Sequence, residues 1–279
     1  MIEDLLKAAI LGTVQGLTEF LPVSSTGHLI LLQDLLKVDE DRYGLAFDAA
    51  IHLGTLAALL VYFGRRWLDL ARSGLRALRD RSSIDGEGRL AWLIVLGTVP
   101  AAVLGLAFGG FIEDELRSPV LVAVMLIAFS VVFVAAERFG RRRRELYDLR
   151  WRDALFVGLA QALALVPGVS RSGATISAGL FRDVERPDAA TFGFLLSAPV
   201  IAGAGGLALA RSLVDVAQGE LGGEEIAFFI TGMVFAAIVG YAAIAFLLRF
   251  LVTNTLVPFV YYRVGLAVVV LGAVAAGAL

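Results

Sequence analysis

Residues 15–28, Gln-Gly-Leu-Thr-Glu-Phe-Leu-Pro-Val-Ser-Ser-Thr-Gly-His, interrupt an otherwise apolar stretch that runs from 4 to 36. Proline removes a helical N–H donor, and serine and glycine loosen the backbone, so one continuous helix is not expected across this motif. Because lipid cannot satisfy bare backbone groups, a broken helix survives only inside protein or beside water. We therefore predict that residues 4–36 form a re-entrant hairpin of two helices.

A second apolar stretch, residues 153–180, is interrupted in the same way by Val-Pro-Gly-Val-Ser-Arg-Ser-Gly-Ala-Thr at 166–175. We predict a second re-entrant hairpin here. A shift of 146 residues superposes six residues of the first hairpin on identical residues of the second. The pairs are Gly12 and Gly158, Gln15 and Gln161, Leu17 and Leu163, Val23 and Val169, Ser24 and Ser170, and Gly27 and Gly173. Their concentration in the two interrupted segments indicates an internal repeat.

The composition predicts an integral membrane protein. The 279 residues are 58% apolar and 18% charged, whereas soluble domains are about 45–50% apolar and about 25% charged. A helix needs about 20 apolar residues to cross the hydrocarbon core. Six uninterrupted segments reach roughly that length: 45–63, 90–109, 119–137, 189–210, 226–249 and 258–279. The chain has no cysteine, which excludes a thiolate metal site and a cysteine nucleophile.

The distribution of arginine predicts the topology. Fourteen of the 24 basic residues are arginines within 65–89 and 138–152, and the positive-inside rule places both stretches in the cytoplasm. This topology signal is favoured over nucleic-acid binding, so no nucleic-acid partner is expected. The acidic N-terminus is unlike the basic start of a signal peptide, so we expect the first apolar segment to remain in the mature protein.

Counting spans from these loops gives two halves of opposite orientation. Residues 1–137 and 153–279 would each contain one hairpin and three spans, joined by the Arg-rich linker 138–152. The first hairpin would enter and leave from outside, and the second from inside. The fold class predicted for the single domain 1–279 is therefore an all-α polytopic membrane protein, an inverted-topology repeat with six transmembrane helices and two re-entrant hairpins.

The first hairpin carries an unusually polar group of residues for lipid. Gln15 and Glu19 lie four apart and share one helix face, and a carboxylate at membrane depth needs a partner, a cation or water. His28 and the hydroxyls of Ser24, Ser25 and Thr26 follow the break. These residues suit a functional site, or alternatively a hydrogen-bond network that holds the broken helix together.

The second hairpin supplies a complementary cation. Arg171 is flanked by the hydroxyls of Ser170, Ser172 and Thr175. Arginine offers planar bidentate donors that suit phosphate, and the N-terminus of a half-helix also favours an anion. The alternative is a structural ion pair between Arg171 and Glu19 across the hairpins. The two interpretations are compatible, because a resting pair can open to admit an anion.

Together the hairpins favour phosphoryl transfer, in which catalysis is mostly positioning and charge stabilisation. A serine hydroxyl attacks poorly unless a base takes its proton, and either His28 or Glu19 could serve. Several phosphate charges in a dry site also favour a divalent cation, which Glu19 could hold. Asp48 and His52 lie four apart in the span 45–63, where we expect hydration or local pairing, or alternatively a role in lining a pocket.

Residues 16–28 and 167–175 closely resemble the two signatures of the undecaprenyl-diphosphate phosphatase family, the bacitracin-resistance family. The resemblance implies hydrolysis of undecaprenyl diphosphate to undecaprenyl phosphate and inorganic phosphate, which recycles the lipid carrier for cell-wall polymers. It also implies a divalent cofactor, Mg²⁺ or Ca²⁺, a plasma-membrane location, a site that opens to the outer face, and a homodimer. Besides the lipid substrate, the expected partners are the surrounding membrane lipids.

The resemblance also implies roles for individual residues. Ser25 corresponds to the family's proposed nucleophile, His28 to its imidazole and Arg171 to its phosphate-binding arginine. The family's first motif begins with Glu or Gln, here Gln15, so acid–base or metal work falls on Glu19. The residues left for substrate binding are Gln15, Ser24, Thr26, Ser170, Ser172 and Thr175. A phosphoserine intermediate and an activated water both remain open.

A lipid-phosphate flippase is the alternative function. Inverted repeats with hairpins near the midplane are also a transporter architecture, and a flippase would need the same arginine. The Ser-Ser-Thr-Gly-His segment favours the phosphatase, because transport alone requires no nucleophile and base.

Overall fold

The computed structural model describes residues 2–38, 44–80, 86–218 and 222–277, and these form an almost wholly helical protein. The helices are α1 (Ile2–Phe20), α2 (Ser25–Leu35), α3 (Gly44–Tyr62), α4 (Gly64–Arg79), α5 (Gly86–Glu115), α6 (Pro119–Phe139), α7 (Trp151–Leu163), α8 (Arg171–Phe181), α9 (Arg186–Gln218), α10 (Gly223–Thr253) and α11 (Val257–Ala275). The described part of the chain contains no β-strand beyond one isolated bridge between Arg144 and Val184. The prediction of an all-α polytopic membrane protein is confirmed.

Five of the six predicted spans are helices long and apolar enough to cross a membrane. They correspond to α5, α6, α9, α10 and α11. The sixth predicted span, 45–63, is α3, which qualifies only together with α4, and the two helices meet at an angle of 79°. The apolar run ends at Phe63, and Gly64, Arg65 and Arg66 follow at once. The chain therefore turns where its charged residues begin.

Both predicted hairpins are pairs of helices, α1 with α2, of 19 and 11 residues, and α7 with α8, of 13 and 11 residues. Ser24 and Ser170 precede the second helix of each pair with φ angles of 75° and 73°, which non-glycine residues adopt rarely. Each serine hydroxyl accepts a hydrogen bond from the glycine N–H three residues later, at 3.4 Å for Gly27 and 3.3 Å for Gly173. The 146-residue shift therefore relates two helix caps of the same geometry.

Glycine contacts also recur in the two halves. A Cβ on Gly12 of α1 would lie 2.2 Å from the carbonyl oxygen of Gly232 in α10. A Cβ on the shifted residue, Gly158 of α7, would lie 2.2 Å from the carbonyl oxygen of Gly97 in α5. Close backbone approach of this kind is typical of helix packing in membranes. These pairs support the repeat, whose boundaries remain a prediction.

Several arginines in and near the linker hold helix ends together. In the linker, Arg144 donates a hydrogen bond of 2.7 Å to the buried carboxylate of Asp153, which also accepts one of 2.5 Å from Arg182. Glu137, at the end of α6, accepts one of 2.6 Å from Arg186 at the start of α9. The linker therefore joins α6 to the second hairpin through ion pairs as well as covalently.

We expect Gly12→Ala to destabilise the protein because the added methyl group would force α1 away from α10. Overpacking of this kind costs about 1–3 kcal/mol. Thermal unfolding in detergent would measure the effect as a lower Tm. Gly265→Ala in α11 is the matched control, since a Cβ there meets nothing within 4 Å. Equal Tm values for the two variants would contradict the packing argument.

Candidate active site

The two hairpins bring Glu19 and Arg171 into contact. Glu19 lies in the last turn of α1, and Arg171 is the first residue of α8. The Glu19 Oε1 and Arg171 Nη1 atoms are 3.4 Å apart, and the Glu19 side chain is only 4% exposed. A carboxylate so deeply buried is stable only with such a partner. The arrangement is the cross-hairpin ion pair expected from the sequence.

The Glu19 carboxylate has three further neighbours. Gln15, one turn earlier in α1, donates a 3.1 Å hydrogen bond to Oε2. The Ser25 hydroxyl donates a shorter one, 2.7 Å, to the same oxygen. His52 of α3 places its Nε2 atom 3.6 Å from it. Ser25 is therefore already hydrogen-bonded to the group that can accept its proton.

Arg171 retains hydrogen-bonding capacity for an anion. Its Nη1 atom is buried but makes no hydrogen bond within the described residues, because the contact with Glu19 lacks hydrogen-bond geometry. Two small cavities share Glu19 and Arg171 in their walls. The other lining residues are Ser24, Ser25, Thr26, Ala164, Val166 and Ser170 in one cavity, and Phe20, Ser172, Gly193, Phe194 and Ser197 in the other. Both cavities are small, and a phosphate group that widened either of them would lie beside the Arg171 guanidinium.

The hydroxyls beside Arg171 are engaged within the protein. Ser170 caps α8 and lies 3.2 Å, Oγ to Oγ, from Ser172. Ser172 donates to the carbonyl oxygen of Leu21 in the first hairpin at 3.0 Å. Thr175 donates to the Arg171 carbonyl at 2.9 Å, one turn back in its own helix. These three hydroxyls stabilise the loop before α8 and the first turn of that helix. The Ser24 hydroxyl caps α2 in the corresponding way.

His28 is turned toward Tyr262 of α11. Its Nδ1 atom lies 2.7 Å from the Ser24 carbonyl oxygen, and its Nε2 atom lies 2.6 Å from the Tyr262 hydroxyl. The two rings are nearly parallel, with centroids 5.6 Å apart. Both ring nitrogens are thus occupied, so Glu19, and not His28, is the base in contact with Ser25. The sequence left these two candidates open.

The side chains of His52 and Asp48 have different partners in the structure, although the two residues lie one turn apart. The carboxylate of Asp48 pairs locally, accepting hydrogen bonds of 2.7 Å from Gln33 and 3.2 Å from Arg117. The His52 Nδ1 atom lies 2.6 Å from the Asp48 carbonyl oxygen, which leaves Nε2 directed at Glu19. The sequence placed His52 on the same face as Asp48, left a pocket-lining role open as the less favoured alternative, and assigned it no family role. Only the packing of α3 against α1 brings it to the site.

Arg263, which the sequence analysis did not single out, is completely buried in α11. Its guanidinium donates to the carbonyl oxygens of both helix breaks, Pro22 at 3.5 Å and Gly168 at 2.8 Å. It also donates to Ser130 and lies over the ring of Phe133, 4.7 Å from the centroid. An arginine inside an apolar span is the signal that could have identified it, since such residues are rare and functional.

The site fits a divalent cation only in part. Within the described residues, no group of three or more Asp, Glu, His or Cys side chains could hold a metal ion. Mg²⁺ commonly binds through one or two carboxylates plus substrate phosphates, and Ca²⁺ takes six to eight oxygen ligands. Glu19 offers one carboxylate, and Ser25 and Thr26 offer hydroxyl oxygens beside it. These donors fit a cation whose remaining ligands come from a bound diphosphate.

Comparison with known proteins gives the family. Residues 8–269 match the model of the family described as bacitracin resistance protein BacA. An undecaprenyl-diphosphatase of Rubrobacter xylanophilus is 48% identical, covering 96% of this chain and 97% of its own. Another, of Mycolicibacterium smegmatis, is 46% identical and covers 98% of both chains. A third, undecaprenyl-diphosphatase 2 of Stutzerimonas stutzeri, is 45% identical over 96% and 97%. The chain therefore belongs to the BacA family of bacitracin resistance proteins.

Proposed function

We propose that this protein is an undecaprenyl-diphosphate phosphatase that releases inorganic phosphate and regenerates undecaprenyl phosphate. It thereby recycles the lipid carrier of cell-wall synthesis and confers bacitracin resistance. The observation that carries the proposal is the Ser25 hydroxyl bonded to Glu19 beside a guanidinium with an unused donor. Relatives over nearly the full length bear the same activity in their names. The family match gives no support to the flippase alternative.

Substrate binding begins with an exchange of partners at Arg171. The resting contact with Glu19 is long at 3.4 Å and lacks hydrogen-bond geometry, so a phosphate can compete for the guanidinium. Charge-assisted bidentate bonds to phosphate are stronger and better oriented. Ser24, Thr26 and Ser170 line the same cavity and would face the phosphate oxygens, while Gln15 continues to orient Glu19.

Ser25 then attacks the terminal phosphorus. As the Ser25 Oγ–P bond forms, the bridging P–O bond breaks, and the electron pair leaves with undecaprenyl phosphate. The Ser25 proton passes along the 2.7 Å hydrogen bond to Glu19. In a second step water attacks the phosphoserine and the Ser25 Oγ–P bond breaks. The proton held by Glu19 returns to Ser25, and the atoms of the water leave with inorganic phosphate. An attack by water held at the same carboxylate is the alternative sequence.

His28 and His52 support this chemistry from either side. His28 reaches the substrate only after its ring leaves Tyr262, and it then offers a proton to the phosphate oxygens. His52 stays against Glu19 and favours the charged carboxylate when its imidazole is protonated. Arg263 holds the Pro22 and Gly168 carbonyls, so it is a positioning residue for both hairpins.

The cofactor we propose is Mg²⁺ or Ca²⁺ bound with the diphosphate. Glu19 would hold it together with hydroxyl oxygens of the first hairpin. Bound there, the cation would neutralise charge on the phosphates that Arg171 alone leaves unbalanced. Glu19 would therefore serve both the cation and the Ser25 proton.

The location of the site and the assembly of the protein are further parts of the proposal. The helices make this a multi-pass membrane protein. We place it in the plasma membrane, with the first hairpin entering from the outer face, because the arginine-rich segments lie at the opposite side under the positive-inside rule. The substrate's isoprenoid tail would lie among the lipid-facing helices. The homodimer remains a prediction.

Replacing the reacting groups should abolish turnover. We expect Ser25→Ala, Glu19→Gln and Arg171→Ala each to lower kcat by about 10²–10⁴-fold, the range for loss of a positioned acid–base group. Phosphate release from undecaprenyl diphosphate in detergent measures this. Ser177→Ala is the matched control, since its buried hydroxyl in α8 has no hydrogen-bond partner among the described residues and lines neither cavity.

Two outcomes of this assay would count against the proposal. Near-wild-type turnover by Glu19→Gln would exclude Glu19 as the base. No phosphate release by folded wild-type protein with either cation would overturn the phosphatase assignment itself.

The Glu19–Arg171 contact should appear as coupled stability. Arg171→Met leaves a buried carboxylate without its partner, whereas the double variant with Glu19→Gln removes both charges. We expect the double variant to be more stable than the sum of the single losses predicts, by about 1–3 kcal/mol. Reversible unfolding in mixed detergent micelles measures the cycle. Additive losses would show that the contact contributes nothing to the resting state.

Cation binding should depend on the diphosphate. Because the chain offers one carboxylate at the site, we expect no stoichiometric ⁴⁵Ca²⁺ binding to substrate-free protein in equilibrium dialysis. A methylene-bridged diphosphonate analogue should induce binding of one ion, and Glu19→Gln should abolish it. Tight binding without the analogue would mean that the cation is held by other residues.

A further inference from the structure

Helix α4 runs nearly perpendicular to the helix before it. Helix α3 packs against α9 and α10, both candidate spans, and α4 leaves it at an angle of 79° after Gly64. If α3 runs along the membrane normal, as its neighbouring spans would require, a helix at that angle lies close to the membrane plane. The arginine distribution places this helix on the cytoplasmic side.

One face of α4 is buried against the rest of the protein. Its buried residues are Leu70, Ser73, Gly74 and Ala77, which all fall on one side of the helix. This face packs against α5, and a Cβ on Gly74 would lie 3.1 Å from the methyl carbon of Ala91. Helix α4 is therefore docked along one side, and its orientation about its own axis is fixed.

A second face is apolar and uncovered. Residues 68, 71, 75 and 78 recur every three or four positions and form a stripe of three leucines and one alanine. Leu75 and Leu78 are each 63% exposed, and Leu68 is 54% exposed. A helix that faces water is polar on its exposed side, so a row of exposed leucines at helical spacing indicates a surface that contacts something apolar.

The third face is basic and borders the leucine stripe. Arg65, Arg72, Arg76 and Arg79 lie at i, i+7, i+11 and i+14, and all four are exposed. Within the described residues none of these four forms an ion pair, in contrast to Arg66, whose Nη2 atom lies 3.5 Å from Glu87. Four cations thus remain available beside an apolar surface.

We propose that α4 is an interfacial helix that binds anionic phospholipids of the cytoplasmic leaflet. The leucine stripe enters the acyl region, and the arginine row contacts the headgroup phosphates. Amphipathic helices of this composition lie in the interface plane, and arginines near an anionic surface are held by its potential. The 79° bend supplies the orientation, and the docked face sets the depth. A lipid surface meets both exposed faces at once.

The cysteine-free chain allows a direct test by spin labelling. A nitroxide on Leu75→Cys is compared with one on Glu145→Cys, an exposed linker residue, in phosphatidylcholine vesicles with and without an equal part of phosphatidylglycerol. We expect the Leu75 label to be several-fold more accessible to oxygen than to a polar nickel reagent, and the Glu145 label to show the reverse. Phosphatidylglycerol should increase the depth of the Leu75 label in the bilayer, and high salt should reduce that increase.

A charge-matched pair of variants isolates the arginine row. Arg72→Gln with Arg79→Gln should abolish the deepening by phosphatidylglycerol. Arg141→Gln with Arg143→Gln, which removes the same charge from the linker, should leave it unchanged. Phosphatase activity in detergent should be unaffected in both, which separates this proposal from the catalytic one.

Three results would overturn the proposal. A Leu75 label accessible to nickel in both vesicles would mean that the helix lies in water. A label shielded from both oxygen and nickel would mean that protein, such as a second copy of the chain, covers the stripe. A depth that is independent of phosphatidylglycerol would exclude anionic-lipid binding.

Discussion

The guanidinium of Arg263 contacts the point where each of the two hairpins is broken. Breaking a helix inside a membrane frees backbone carbonyls that lipid cannot satisfy. Arg263 donates to one such carbonyl in each hairpin, at Pro22 and at Gly168. Its own charge is offset by these dipoles and by the face of Phe133. The unpaired carbonyls of the two breaks and the buried guanidinium thus satisfy each other's hydrogen bonds. The same contacts hold the two loops side by side.

The chemistry of the site follows from that proximity. With the breaks adjacent, the end of α1 meets the start of α8, and Glu19 faces Arg171. Ser25 follows the first break and can bond the same carboxylate. Burial strengthens these contacts because water does not screen them. The result is a buried ion pair beside a serine hydroxyl. In the mechanism that we propose, a phosphate takes Arg171 from its partner and makes this site reactive.

Arginine does different work in different parts of this chain. The sequence analysis interpreted the arginines of the linker as a topology signal. In the structure Arg144 also forms an ion pair with Asp153, and Arg142 forms one with Glu137. The positive-inside rule counts charges, but it cannot tell which charges find an acidic partner. That depends on where helix ends meet. Within the described residues the exposed arginines of α4 form no ion pair, and they also border a stripe of exposed leucines. That combination, which the linker lacks, suggests a lipid contact.

Sequence alone predicted the hairpins, five of the six spans, and Gln15, Glu19 and Arg171 as candidate site residues, because broken apolar segments and buried charges are costly local features that residue types reveal. Ser25 was singled out among the neighbouring hydroxyls only by the resemblance to the family. The sequence also raised the pairing of Glu19 with Arg171. Tertiary structure alone decided that Ser25 bonds Glu19, that His28 turns to Tyr262, and that His52 and Arg263 reach the hairpins. These contacts join residues on different helices, and their geometry depends on helix rotation and packing distance, which no local pattern encodes.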